Sequence, residues 1–179
     1  MPETKPLTAT ESDRAAMLRV DQAGEYGATR IYAGQLAVMG EHGPTGRAIA
    51  RMAGQEQLHR VRFDAMMVRR GVRPTLLQPV WDVAGFALGA ATALMGPKAA
   101  MACTVAVEEV IDAHYREQSA KLGKDEAPLK AKIDKFRAEE LQHRDAGLEH
   151  GAEQAPAYPL LTGAIKAGSR LAIWLAERV

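Results

Sequence analysis

The chain has little of what several specialised protein classes require. Its 179 residues contain one cysteine, which excludes an internal disulfide and a zinc site built on several thiolates. The net charge is +1, from 23 basic and 22 acidic residues, so we expect no nucleic-acid partner. Aromatic residues make up only 5% of the chain, whereas methionine occurs 8 times. This composition favours helices packed on helices over a β-sandwich.

Long hydrophobic runs are also absent. The longest uncharged stretch near the middle runs from Val83 to Pro97, and glycines interrupt it. A helix of this length is shorter than the roughly 30 Å hydrocarbon core of a bilayer. We therefore expect a buried or interfacial helix there. The stretch Met1–Asp13 carries charges of both signs and lacks an apolar centre, so we expect no secretory or organellar targeting segment.

Glycine and proline divide the chain into six helical segments, because these residues end helices or begin them. The expected helices run from about Glu11 to Met39, from Thr45 to Gly71, from after Pro79 to Gly96, from Pro97 to Leu122, from Pro128 to Glu149, and from Leu160 to Arg178. No segment alternates as a strand would. We predict an all-α fold in one domain, 1–179, with residues 1–12 as a flexible N-terminus.

Two Glu-x-x-His pairs stand out, Glu56 with His59 and Glu140 with His143. Each pair places a carboxylate and an imidazole on one face of a helix. Such pairs are usually solvated, but these lie within apolar stripes that should face a core. The stripe around Glu56 and His59 contains Ile49, Met52, Phe63 and Met66. The stripe around Glu140 and His143 contains Leu129, Ile133 and Phe136. Buried carboxylates need a neutralising partner.

Two further glutamates share this inward position. Glu108 lies in a stripe of apolar residues, whereas its neighbour Glu109 aligns with charged ones. Glu25 is flanked by small residues that let another helix approach closely. By the same periodicity, Gln55 and Glu139 align with basic residues and are expected on the polar side.

Each half of the chain therefore has one helix with an inward Glu, followed by a helix with an inward Glu-x-x-His. Four glutamates and two histidines in a four-helix bundle form the ligand set of ferritin-like dinuclear sites. Carboxylate and imidazole ligands suit iron or manganese, and affinity alone leaves zinc open. The alternative for the same six residues is a polar core network without metal.

Several segments resemble the demethoxyubiquinone hydroxylase family. They are Arg19–Ala28, Ile31–Gln35, Gly85–Gly89, Ala102–Glu109 and Ala155–Tyr158. The resemblance implies a ferritin-like four-helix bundle with two additional apolar or amphipathic helices. It also implies a di-iron monooxygenase of ubiquinone biosynthesis that hydroxylates a polyprenyl methoxy-benzoquinol with O₂ and electrons from NADH. The family's iron ligands match Glu25, Glu56, His59, Glu108, Glu140 and His143. Gln22 departs from the family's pattern, but it is not a ligand position.

Roles within this set are expectations. Glu108 is a candidate bridging carboxylate, and the glutamates of the two Glu-x-x-His pairs are candidate bridges or terminal ligands. Asp112 and Asp21, one helical turn from inward glutamates, are candidate hydrogen-bond partners of the ligand imidazoles. Tyr115 is a candidate substrate contact or electron relay, with core packing as the alternative. No other catalytic residue is assigned.

The apolar segment Val83–Met95 and the last helix fit a lipid-soluble substrate. The last helix combines apolar residues with Lys166 and Arg170, which is typical of an interfacial helix. We expect both to rest on the cytoplasmic side of a bacterial cell membrane and to admit a prenylated quinone. The alternatives are bundle packing or a homo-oligomer seam. A lipid-binding helper protein is a further possible partner.

Two other functions compete with the hydroxylase. One is a ferritin-like iron-handling protein, either a ferroxidase or a peroxidase. The other is a helical interaction module whose buried acids are neutralised by arginine. A dinucleotide-binding fingerprint is absent, since Gly85-x-x-x-Gly89 is a close-packing pattern rather than a phosphate loop. The sequence therefore does not locate a site for NADH.

Overall fold

The structure is a computed structural model that describes residues 9–179. Over that range the chain forms six α-helices and two short 3₁₀ turns, with no strand. The helices are α1 (Glu11–Met39), α2 (Pro44–Arg70), α3 (Gln78–Leu94), α4 (Pro97–Lys121), α5 (Ala127–Glu149) and α6 (Tyr158–Ala176), and the 3₁₀ turns are Lys124–Glu126 and Ala152–Gln154. The all-α prediction is confirmed.

The helix ends follow local chemistry. Thr10 caps α1 and forms a capping box with Asp13, so α1 begins at Glu11, inside the segment 1–12 that was expected to be flexible. Residues 1–8 lie outside the described range. Gly71 ends α2 in the left-handed conformation that glycine adopts without a steric penalty. Every helix from α2 to α6 has a proline in its first turn.

The helices are arranged as two hairpins. Helix α1 packs on α2, and α4 packs on α5, and these four helices form the bundle. Helix α3 packs mainly on α1, and α6 packs mainly on α4, so the two additional helices cover one side. This is the predicted ferritin-like four-helix bundle with two extra helices.

The bundle core has two apolar layers with a polar layer between them. One apolar layer contains Tyr32, Ile49, Met52, Met101 and Val105, and the other contains Leu18, Phe63, Tyr115, Ile133 and Phe136. The positions between these layers on α1, α2, α4 and α5 are those of the inward acids. The fold therefore holds the candidate ligands in a dry interior.

Glycines allow α3 to lie directly against α1. A Cβ atom at Gly89 would collide with the carbonyl oxygen of Ile31, and one at Gly34 would collide with the carbonyl oxygen of Phe86. The expected close-packing role of the Gly85-x-x-x-Gly89 pattern is confirmed. This contact matters for function because α3 forms one wall of the cavity described below.

The Gly89→Ala substitution should destabilise the protein. The added methyl group must push α3 away from α1, and overpacking of this kind costs about 1–3 kcal/mol. The free energy of unfolding, measured in urea, tests this. Gly54→Ala on α2 is the matched control: no atom lies within 4 Å of its Cβ position, so it should stabilise the protein by about 0.5–1 kcal/mol. Equal stability of the Gly89→Ala variant and the wild type would contradict the close approach.

A candidate dinuclear metal centre

Four helices bring all six sequence-predicted residues together in the polar layer. The six residues are at most 3% exposed. They form two groups in which the potential ligand atoms all lie within 4.8 Å of one another. The first group is Glu25, Glu56, His59 and Glu140, and the second is Glu56, Glu108, Glu140 and His143. Each group could hold one metal ion.

Glu56 and Glu140 belong to both groups. A carboxylate with two oxygens can contact two neighbouring ions, so these residues have the geometry of bridges. Glu25 belongs only to the first group and Glu108 only to the second. The sequence-based expectation that Glu108 bridges stays a prediction, whereas membership of only one group places Glu108 at one end of the cluster.

Both imidazoles turn Nδ1 towards the carboxylates. His59 Nδ1 lies 2.8 Å from Glu140 Oε1 and 3.4 Å from Glu25 Oε2. His143 Nδ1 lies 2.9 Å from Glu56 Oε1 and 3.0 Å from a Glu140 oxygen. Neither Nδ1 atom has a hydrogen-bond partner despite these short separations. The imidazole nitrogens and carboxylate oxygens therefore surround two shared positions, one in each group, instead of forming hydrogen bonds with one another.

The unsatisfied atoms at this site fit a pair of divalent cations. Glu25 Oε2, Glu56 Oε1, Glu108 Oε2 and both Glu140 oxygens are buried without a hydrogen-bond partner. Burial raises the pKa of Glu25, and raises those of Glu56 and Glu108 strongly, because the charged form loses its hydration. Two divalent cations would balance the charge of four carboxylates and would be coordinated by the unpartnered oxygen atoms.

Glu140 differs from the other three carboxylates. Burial alone would raise its pKa, but attraction to the nearby His143 and His59 rings outweighs burial and lowers its pKa to about 2. The pKa of His59 is raised to about 10, because its interactions with Glu140 and Glu25 outweigh the opposing effect of burial. Glu140 therefore sits at the electrostatic centre of the cluster.

Two tyrosines hold the end carboxylates. The Tyr32 hydroxyl donates to Glu108 Oε1 over 3.0 Å, and the Tyr115 hydroxyl donates to Glu25 Oε1. Each tyrosine follows the inward glutamate of its own helix by seven residues and bonds the glutamate of the other helix. Tyr115 is thus more than core packing, and Tyr32 was missed because an apolar stripe does not reveal a hydroxyl's partner.

The outer nitrogens of the two imidazoles also have partners. His59 Nε2 lies 2.8 Å from Glu139 Oε2, and His143 Nε2 lies 3.0 Å from Gln55 Oε1. Each partner immediately precedes the inward glutamate on the opposite helix. Helical periodicity predicted both on the polar side, but each side chain contacts an imidazole on the neighbouring helix, across the contact between α2 and α5.

The expected partners of the imidazoles take other roles. Asp112 pairs with Arg137 over 2.6 Å. Asp21 is buried, and its Oδ1 lies 3.5 Å from His114 Nε2. Neither of these candidate aspartates contacts the His59 or His143 ring, because one helical turn of separation along their own helices does not bring them to a ring on α2 or α5.

Comparison with known proteins identifies the family of this chain. A family model described as "Ubiquinone biosynthesis protein COQ7" matches residues 12–176. The chain belongs to this family. It is 60% identical over 174 residues to the 3-demethoxyubiquinol 3-hydroxylase of Rhodospirillum rubrum, covering 97% of this chain and 81% of that one. It is 52% identical over 181 residues to the human mitochondrial NADPH-dependent 3-demethoxyubiquinone 3-hydroxylase, covering 97% and 82%.

A more distant relative carries a related name. The mitochondrial 5-demethoxyubiquinone hydroxylase of Saccharomyces cerevisiae is 38% identical over 199 residues, covering 99% of this chain and 85% of that one. Membership of the COQ7 family favours the hydroxylase over an iron-handling protein. The interaction-module alternative also loses support, because within residues 9–179 no arginine makes an ion pair with any of the six residues.

This COQ7-family chain has an apolar cavity of about 550 Å³ beside the cluster. Helices α1, α3, α4 and α6 line it. Its lining includes Gly24, next to Glu25, and Val107, next to Glu108. No charged side chain contributes to the lining. The cavity can therefore accept a large apolar molecule at the edge of the candidate metal centre.

A second, small cavity of about 10 Å³ reaches Glu108 itself. It shares Ala28, Ile31 and Val107 with the large cavity and is also lined by Thr104. The Thr104 hydroxyl is buried and has no hydrogen-bond partner. The space between the large cavity and the carboxylates is therefore about the size of one small molecule.

Replacing Glu108 with Gln should reduce bound divalent metal from two ions per chain towards one. The amide keeps the size and the Tyr32 contact but lacks the charge that the second group needs. Metal content after loading with Fe(II) and gel filtration measures this. Glu109→Gln is the control, since Glu109 is half-exposed and pairs with Lys166. Equal metal loss in both variants would argue against a specific role for Glu108.

Proposed function

We propose that this chain hydroxylates the ring of a polyprenyl demethoxybenzoquinol in ubiquinone biosynthesis, as a di-iron monooxygenase folded as one domain. The proposed iron ligands are Glu25, Glu56, His59, Glu108, Glu140 and His143. The observation that carries the proposal is the juxtaposition of two ligand groups, joined through Glu56 and Glu140, with a large apolar cavity. A substrate of this class has an apolar tail and a redox-active ring, and the site provides for both.

The cavity suits the shape and chemistry of a prenylated ring. Its walls on α3 and α6, which include Trp81, Leu88 and Ile173, would contact the tail. Its walls on α1 and α4 lie next to Glu25 and Glu108, so the ring end would approach the carboxylates there. Small residues such as glycine and alanine in these walls leave room for a flat ring.

The reaction replaces a ring C–H bond with C–OH. One atom of O₂ enters the ring, and the second leaves as water with two protons and two electrons from the reductant. Bound iron would supply the electron transfer to O₂ that the side chains lack. The apolar walls exclude bulk water, which limits side reactions. Thr104, beside Glu108 with its hydroxyl unpartnered, is positioned to donate a hydrogen bond to a molecule in the small cavity.

The proposed ultimate reductant is a reduced nicotinamide nucleotide. We expected NADH from the family resemblance, whereas the names of the mammalian relatives specify NADPH. A comparison of the two nucleotides with the purified protein decides which one supplies the electrons to this chain.

We also propose that α3 and α6 rest on a membrane surface, on the cytoplasmic side of a bacterial cell. These helices expose large apolar side chains and border the cavity. They include Val80, Val83, Leu94, Leu160, Leu171 and Trp174. None of the helices in residues 9–179 is long and apolar enough to cross a bilayer. Contact with the lipid surface would let the substrate enter without crossing water. A second copy or a lipid-binding helper protein could share the same face.

The proposed activity is tested by a single turnover. The protein is loaded with Fe(II) without oxygen, mixed with a short-chain demethoxyquinol, and exposed to ¹⁸O₂. We expect the product mass to rise by one labelled oxygen atom, and Glu108→Ala to abolish the gain because it removes a ligand. Formation of a large soluble iron core with no change in quinol mass would instead support the iron-handling alternative.

Membrane contact is tested by flotation with phosphatidylcholine vesicles. Two exposed apolar residues of the proposed lipid face, Val83 and Leu171, are both replaced with Glu. We expect vesicle-bound protein to fall about tenfold, because two apolar side chains lose their burial. The control is the double variant Leu58→Glu and Val68→Glu on α2, whose side chains are also well exposed but do not line the cavity. Equal effects, or no wild-type binding, would refute this orientation.

A further inference from the structure

The two halves of the candidate centre match in the residues that face the metal positions but differ in the residues behind the imidazoles. Each half has an end glutamate held by a tyrosine, and each has an imidazole that directs Nδ1 inward. Glu56 and Glu140 are common to both. The outer partner of His59, however, is the carboxylate of Glu139, whereas the outer partner of His143 is the neutral amide of Gln55.

This difference changes how strongly each imidazole donates to a metal. A carboxylate that accepts the outer N–H increases electron density on the ring and strengthens Nδ1 as a ligand. A neutral amide oxygen accepts the same hydrogen bond more weakly. Both contacts fix the ring orientation, so the halves differ in charge rather than in geometry.

The surroundings of Glu139 reduce this effect without removing it. Lys135 Nζ lies 3.5 Å from Glu139 Oε1, on the side away from His59, and its own side chain is well exposed. An exposed ion pair of this kind is screened by water. Glu139 is itself only about a quarter exposed, so its negative charge acts on His59 through a less polar environment.

Phe136 further distinguishes the two halves. Its ring stacks on His59 with a centroid separation of 4.1 Å, and Lys132 covers its outer side. This packing covers one face of the His59 ring. On the other helix, the equivalent position, four residues before the inward glutamate, is occupied by Met52.

We infer that the two metal positions are inequivalent: Glu139 makes the position at Glu25 and His59 bind its ion more tightly, and Gln55 leaves the position at Glu108 and His143 weaker. This inference rests on the proposed ligand set. Glu139 and Gln55 are positioning residues, because they act on the metal only through the imidazoles. The weaker position adjoins the small cavity that leads to the substrate space, so the more exchangeable ion lies where a reactant would arrive.

The test is equilibrium dialysis of the full-length protein with Mn(II), which gives two stepwise dissociation constants. We expect Glu139→Gln to raise the smaller constant roughly 10- to 100-fold, and Gln55→Glu to lower the larger one by a similar factor. Each substitution keeps a side-chain oxygen that accepts the N–H and changes only its charge. A merely structural role would leave both constants in place.

The order of filling is tested by anomalous diffraction from crystals grown with one equivalent of Mn(II). The wild type should show the stronger peak at Glu25 and His59. The double variant Glu139→Gln with Gln55→Glu should move it to Glu108 and His143. Gln142→Glu is the control for added charge, since Gln142 is exposed and lies beside His143 in sequence.

The outcomes separate this inference from the proposed function. Two bound ions with constants unchanged by either substitution would overturn the inference and leave the ligand set intact. Equal peaks in the wild type at one equivalent would do the same. Binding of fewer than two ions would overturn both. Opposite shifts of the two constants in the single variants, with the control unchanged, would support the inference.

Discussion

The whole structure depends on the burial of four carboxylates and two imidazoles in a layer between two apolar layers. In water these groups would be hydrated, whereas in the bundle they are buried from solvent. Several of their inward atoms have no hydrogen-bond partner, so two cations bound at the centre would offset much of the cost of burying four carboxylates. Two helical hairpins provide the groups, and the sharing of Glu56 and Glu140 joins them into one site.

The remaining features serve this layer or give access to it. Tyr32 and Tyr115 connect the hairpins by donating across the bundle to the end glutamates. Close packing of α3 on α1 through Gly89 forms a wall of the apolar cavity. The cavity meets the polar layer beside Glu25 and Glu108. A buried cluster of ionisable groups thus lies beside a cavity that can accept a large apolar molecule.

The sequence predicts correctly which side chains face inward, because the periodicity of a single helix determines this. The apolar stripe distinguishes Glu108 from Glu109, since only one of two neighbours can face inward. The sequence does not predict contacts whose geometry depends on how two helices pack against each other. The membership of Glu56 and Glu140 in both ligand groups depends on the register between helices. So does the contact of Glu139 on α5 with the imidazole of His59 on α2. The periodicity of one helix carries no information on that register. The sequence held one indication of these imidazole contacts, since Gln55 and Glu139 each directly precede an inward glutamate.

The central claim is that both ions share carboxylates, and electron paramagnetic resonance of the protein loaded with two Mn(II) ions tests it most directly. Ions joined through Glu56 and Glu140 should be magnetically coupled and give the broad spectrum of an exchange-coupled pair. The six-line signal of isolated Mn(II), at two ions per chain, would show that the ions do not share these carboxylates and would contradict the account.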